Sequence, residues 1–282
     1  MDLWYKLIEQ LPFSWVGYEF MKNALLSVII VTPCFGLVGT MVVGNRMAFF
    51  SDVIGHSALT GIAIGVIMGF SDVRPVMIIF AVLLSISINI ILEKTKASSD
   101  TVIGVFSAST VALGVALLSR GGSFNKYSVF LIGDILSVTR MEIFYLVLLL
   151  SAVLIFWIFF GSYLALISVE PSLAYDKVIS PFVVKTLFSI LVALVVILSI
   201  RWVGLLIINS LFILPAASAR LISGSLKDYY FRSMYISLLS GISGLIISFY
   251  TGSACGATIV LCSAAVYITI LTVKAFGRSF SR

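Results

Sequence analysis

The stretch IFYLVLLLSAVLIFWIFFGSYLAL, Ile143–Leu166, contains no charged residue. A helix that crosses the hydrocarbon core of a bilayer takes about 20 predominantly apolar residues. At that depth no water pairs with backbone N–H and C=O groups, so the run satisfies them internally, as an α-helix does. Ile143–Leu166 therefore predicts a transmembrane helix.

The pattern repeats in both directions. Spans are predicted near Phe20–Val43, Met47–Phe70, Pro75–Leu92, Thr101–Ser119, Phe182–Ile200, Val203–Ala219, Met234–Tyr250 and Ala254–Val273. Tyr127–Ser137 is too short to span and reads as a short or re-entrant helix. The expected fold is an all-α, polytopic transmembrane bundle of about eight to nine spans, set in the lipid bilayer as a multi-pass protein. Composition agrees. Of 282 residues, 61% are hydrophobic and 11% charged, against roughly 25% charged in a soluble domain, and the mean hydropathy is +1.18. A water-facing surface needs more charge, and a disordered chain needs lower hydrophobicity. No loop is long enough for a second, soluble domain.

The net charge of +6 sits in short loops and the C-terminal segment, as the positive-inside rule expects. No dense basic run follows a phosphate backbone, so nucleic acid is not an expected partner. Arg220, Lys227 and Arg232 precede the last two spans, and Lys274, Arg278 and Arg282 follow them. A helical hairpin puts both groups on one side, which is then cytoplasmic. Counting back places Glu93–Asp100 and Ser168–Pro181 on that side as well, with Arg120–Lys126 and the N-terminus outside. Residues 1–19 lack a basic start and an apolar run, so they read as an interfacial segment with Trp4, Tyr5 and Trp15 at headgroup level rather than as a cleaved signal. Residues 20–275 form the transmembrane domain and 276–282 a basic cytoplasmic tail. Cys34, Cys255 and Cys262 lie in apolar stretches and read as small buried hydrophobes.

Ionisable groups inside a span are costly and mark function. Asp52 and His56, the single histidine, are four apart and share a helix face. A carboxylate and an imidazole make half of a site for a divalent metal; the structural alternative is an Asp–His hydrogen bond that ties two helices. A two-fold dimer with this helix beside its axis would present four N/O ligands, without sulfur. Gly61, Gly65 and Gly69, and Gly36, Thr40 and Gly44, recur at four-residue spacing and read as close-packing faces. Pro215 is expected to interrupt or kink a span, ahead of a basic segment that is either a docking element or a plain anchor. Asp134, in Phe130–Leu136, is read as a solvated loop acid or part of a cation path. The block Gly252–Leu261 reads as a turn and close packing. No phosphate-binding loop, zinc-protease motif or nucleophile elbow occurs, so the chain does not read as an enzyme.

Four ordered blocks carry a resemblance that runs from about Asn23 to Thr272. They are Asp52-x-x-x-His56, Phe130–Leu136, Gly204–Ala219 and Gly252–Leu261. Together they resemble the integral-membrane permease subunits of bacterial ATP-binding-cassette importers for zinc and manganese, in some cases iron. The resemblance implies a type II importer fold working as a homodimer in the bacterial plasma (inner) membrane. Cytoplasmic ATPase subunits would dock beneath it around residues 206–232, with Arg220, Lys227 and Arg232 in the docking region. An extracytoplasmic metal-binding protein would deliver the cargo, and Asp52 and His56 would bind it near mid-membrane. No covalent cofactor is implied; the metal (manganese, zinc or iron) is the cargo, and ATP hydrolysis belongs to the partner. Ser51 and Thr60 stand where the family usually has Gly and Pro, and Ala254-Cys255 where it often has Pro-Ser. The competing readings are a secondary carrier or channel for divalent cations that works without an ATPase, and a permease for a metal chelate or vitamin.

Overall fold

The computed structural model describes residues 2–10, 12–95, 97–121, 133–170 and 179–279. After a short helix, α1 (Asp2–Ile8), and a 3-10 turn (Ser14–Gly17), nine apolar helices follow among the described residues. They are α2 (Glu19–Gly44), α3 (Phe50–Ile67), α4 (Arg74–Lys94), α5 (Ser99–Gly121), α6 (Arg140–Val169), α7 (Pro181–Val203), α8 (Leu205–Ile222), α9 (Leu226–Thr251) and α10 (Cys255–Ser279). Eight are long and apolar enough to cross a membrane; α8 is the shorter one. This matches the expected all-α, multi-pass architecture. α8 is continuous through Pro215, so of the two expected outcomes, interruption or kink, the interruption is absent: the proline removes one backbone donor without ending the helix. Most of Tyr127–Ser137, together with Arg120–Lys126 in part, much of Ser168–Pro181 and the last residues of the tail, lies outside the described residues. Only a 3-10 turn, Ile135–Ser137, is seen there.

The chain divides into two compact units. One comprises Met1–Thr40, Asp134–Ser151 and Ser210–Arg282. In it, α1 is tied to the start of α2: Trp4 Nε1 donates to the Lys22 carbonyl at 3.1 Å, Tyr5 Oη to Asn23 Oδ1 at 2.7 Å, and Lys22 pairs with Glu9 at 2.7 Å. Trp15 is buried, so it is not exposed for the headgroup role expected of it. Ser233 and Ser237 of α9 donate to the Gly36 and Thr32 carbonyls of α2, both at 2.6 Å. Such polar ties replace the hydrophobic driving force that lipid abolishes between helices.

The second unit, Met41–Gly133 and Ala152–Asn209, is organised around α3, which packs on α4, α5 and α7. Small residues permit this. A Cβ on Gly61 would stand 2.7 Å from Met77 Cα in α4, and one on Gly114 of α5 would stand 2.9 Å from the Thr60 amide nitrogen. Thr60 Oγ1 donates to the Thr110 carbonyl at 2.5 Å, so the threonine ties α3 to α5 and α3 runs unbroken through it. Gly65 follows Gly61 onto α4. Gly69, the third glycine of that series, does not pack: it takes φ +77° in the turn after α3, with open space around it. In that turn the Arg74 guanidinium bonds Asp72 at 2.9 Å and holds its carboxyl below the usual carboxylate range.

Candidate functional site

Helix α3 leaves a tight connection in which Arg46 takes a left-handed φ of +58°. Asp52 falls in its first turn and His56 one turn later, so the pair lies near the start of the helix rather than midway along it. Three sides of α3 are covered, and from Phe50 to Ala63 every residue is buried except these two. His56 Nε2 lies 3.5 Å from Asp52 Oδ2, with 27% and 40% of the two side chains exposed. That separation is long for a hydrogen bond, so lone pairs on both groups remain free for a cation. The polar stripe thus opens away from the packed core of its unit. The pair does not tie two helices together, because both members sit on α3.

Asp52 also lines an open cleft of about 460 Å³ between α3 and α5, with Phe49, Asp100, Gly104, Ser107 and Ala108. Asp100 was not singled out from the sequence. An acid in the first turn of a helix reads there as ordinary complement to the dipole, and only the folding of α5 against α3 brings it to the same cleft. Among the described residues no three His, Cys, Asp or Glu side chains converge to hold a metal. One chain therefore offers Asp52 and His56 as a two-ligand set.

The other residues singled out from the sequence lie elsewhere. Arg220 lies in the last turn of α8, exposed. Ser225 caps α9 by accepting from the Asp228 amide at 3.3 Å, and Asp228 accepts from the Gly224 amide at 3.1 Å. This reciprocal cap makes 220–232 a folded turn. Lys227 is exposed on it, whereas Arg232 donates to Asp228 at 2.6 Å. Lys274 of α10 donates to the Leu221 carbonyl at the end of α8, as cations do at helix C-termini. Asp134 accepts from the Leu136 amide at 3.0 Å and caps its own turn, which favours the structural reading of that acid. Cys255 is buried at the start of α10. Gly133 (φ +76°) and Gly204 (φ +91°) meet backbone to backbone, with a Cβ on the former only 2.3 Å from the latter's nitrogen. Two of the four sequence blocks thus converge on the break between α7 and α8.

The chain is similar to known proteins over most of its length. The high-affinity zinc uptake system membrane protein ZnuB of Haemophilus influenzae is 33% identical over 258 residues, 90% of this chain and 97% of that protein. The manganese import system permease protein ScaB of Streptococcus gordonii is 31% identical over 265 residues, 94% of this chain and 95% of that protein. The structure of PsaBC from Streptococcus pneumoniae in complex with Fab superposes with a TM-score of 0.78 at 29% identity, covering 95% of this chain and 94% of that one. The ABC 3 transport family profile matches residues 17–274, and with eight helices fit to cross a membrane and an open carboxylate–imidazole stripe on α3, the chain belongs to that family.

Proposed function

We propose that this protein is the membrane permease of an ATP-driven importer of divalent transition-metal ions, manganese or zinc, with iron a further cargo, in a bacterial inner membrane. The observation that carries the reading is the Asp52–His56 stripe, the one opening in the covered run from Phe50 to Ala63. Family membership and the zinc and manganese relatives support it. A carboxylate and an imidazole suit both metals, and by ligand preference alone zinc binds more tightly than manganese. Two ligands hold a cation weakly, which suits a transfer site from which the ion must leave. Two copies of the chain, with their α3 stripes facing, supply four ligands, and we take the working unit to be this homodimer. Metal arrives from an extracytoplasmic binding protein. ATPase subunits dock at 220–232, where Arg220 and Lys227 are exposed and Arg232 is engaged by Asp228.

The test is uptake by the complex reconstituted with its ATPase in liposomes. Asp52→Asn removes charge and keeps shape; His56→Ala removes the imidazole. Each lowers uptake per folded complex by more than the roughly 10–100-fold that loss of an outer-shell metal partner costs, while the assembly persists. Parental uptake by Asp52→Asn would show that the pair is structural. Parental uptake by the permease without any ATPase would favour a self-sufficient carrier.

A further inference from the structure

We infer that a part-buried hydrogen bond from Ser51 to Asn209 sets the position of Asp52, so that Asn209 of α8 is a positioning residue for cation transfer. The inference rests on Asp52 and His56 receiving the metal. A helix start leaves backbone donors without partners unless a side chain caps it. At α3 the residue before the helix, Phe49, is itself in the right-handed helical region, and no side-chain cap is made. The first turn, which carries Asp52, is held locally by backbone, the Phe50 amide donating to the Met47 carbonyl at 2.9 Å and the Val53 amide to the Phe49 carbonyl at 3.1 Å. Ser51, fully buried, adds support from outside the helix. Its Oγ donates to Asn209 Oδ1 at 2.5 Å, with a second, longer approach of 3.3 Å to the Ala48 carbonyl. One turn on, a Cβ at Gly55 would meet Ile208 Cγ2 at 3.7 Å and Leu205 at 3.9 Å.

Residues 51 and 55 therefore form one face of α3, laid against the first turns of α8. Residues 52 and 56 form the next face, about 100° around the axis at 3.6 residues per turn. Any rotation or fraying of the first turn moves Asp52. His56 moves less, because it lies a turn deeper and Thr60 pins the helix beyond it. The Ser51–Asn209 bond thus controls the separation and relative aim of the two ligands.

Equilibrium binding of Mn²⁺ alone to the purified permease–ATPase complex tests this, with Zn²⁺ as a second probe. Ser51→Ala removes a single oxygen; Asn209→Leu removes the acceptor at similar volume. Each single variant should raise Kd five- to tenfold with the unfolding temperature of the complex unchanged. The double variant should be no worse than either single, since both changes break one bond. An unchanged Kd in Ser51→Ala overturns the inference. So does a double variant whose effect is the product of the two singles. If Asn209→Leu fails to assemble, Ser51→Ala decides alone. Asp52→Asn is carried alongside: normal uptake by it would mean that the transfer-site reading has failed, whereas loss of uptake with a parental Kd in Ser51→Ala would mean that only the positioning role has.

Discussion

Helices α3 and α6 invert the rule that governs soluble proteins. α6 is the most apolar of the eight long spans, yet only 22% of its most apolar window is buried within the protein; α3 is among the least apolar, and 72% of its window is buried. In water, apolar surface goes inside because solvent rejects it. In a bilayer, lipid accepts it, and what must be covered is backbone polarity and hydroxyls. α6 therefore presents Leu154, Ile155, Ile158 and Phe159 outward. α3 turns Gly61, Ser51 and Thr60 into contacts with neighbouring helices, and from Phe50 to Ala63 it leaves open only Asp52 and His56. The inversion is not general: α7, with a mean hydropathy of 2.7, still has 61% of its most apolar window buried, so in lipid apolar character alone does not say which helix is inside.

The contrast breaks most visibly if bulk is added where α3 meets α4. Gly61→Val puts a branched side chain where even a Cβ stands 2.7 Å from Met77 backbone, which cannot move aside as a side-chain tip can. Overpacking typically costs about 1–3 kcal/mol and occasionally more, and a backbone obstacle puts this change at the upper end. We expect little folded permease to survive detergent extraction, read by size-exclusion chromatography. The reverse test puts charge on the lipid face of α6. Ile158, 79% exposed near the middle of its helix, replaced by lysine should reduce membrane insertion by roughly 2.5–3.5 kcal/mol. Insertion measured on the isolated α6 segment reads this directly. Unimpaired insertion would mean that position 158 does not lie in the hydrocarbon core.

The architecture was largely legible because its main determinant is local: spanning length in apolar residues, visible one segment at a time. Asp52 and His56 were legible for the same reason, since a spacing of four on a helix is a shared face whatever surrounds it. What escaped needed the third dimension. Asp100 joins the Asp52 cleft only because α5 folds back on α3, and the serine at position 51 gains its partner from residue 209, far along the chain. The glycine series was only partly readable. Spacing alone cannot separate Gly61, packed on α4, from Gly69, which serves a positive φ. Pro215 read as an interruption or a kink, and the sequence could not choose between them; the helix continues through it, since one missing donor does not by itself end a helix. Trp15 looked like a membrane anchor by type, and its burial comes from neighbours that its local sequence does not name.

The smallest effect is the most direct measure of what lipid does for α6. Ile158→Ala deletes a large, exposed apolar side chain. In a soluble core such a truncation removes buried area, leaves a cavity and costs about 2–5 kcal/mol. At 79% exposure little protein surrounds Ile158, so no cavity forms and lipid chains fill the space. The change should stay within about 0.5 kcal/mol, the range of surface substitutions. The unfolding midpoint of the detergent-solubilised complex, compared with the parent at equal protein concentration, checks it. A loss several times larger would mean that this face of α6 is covered in the working assembly. Position 158 would then belong to a contact with another chain rather than to the lipid boundary.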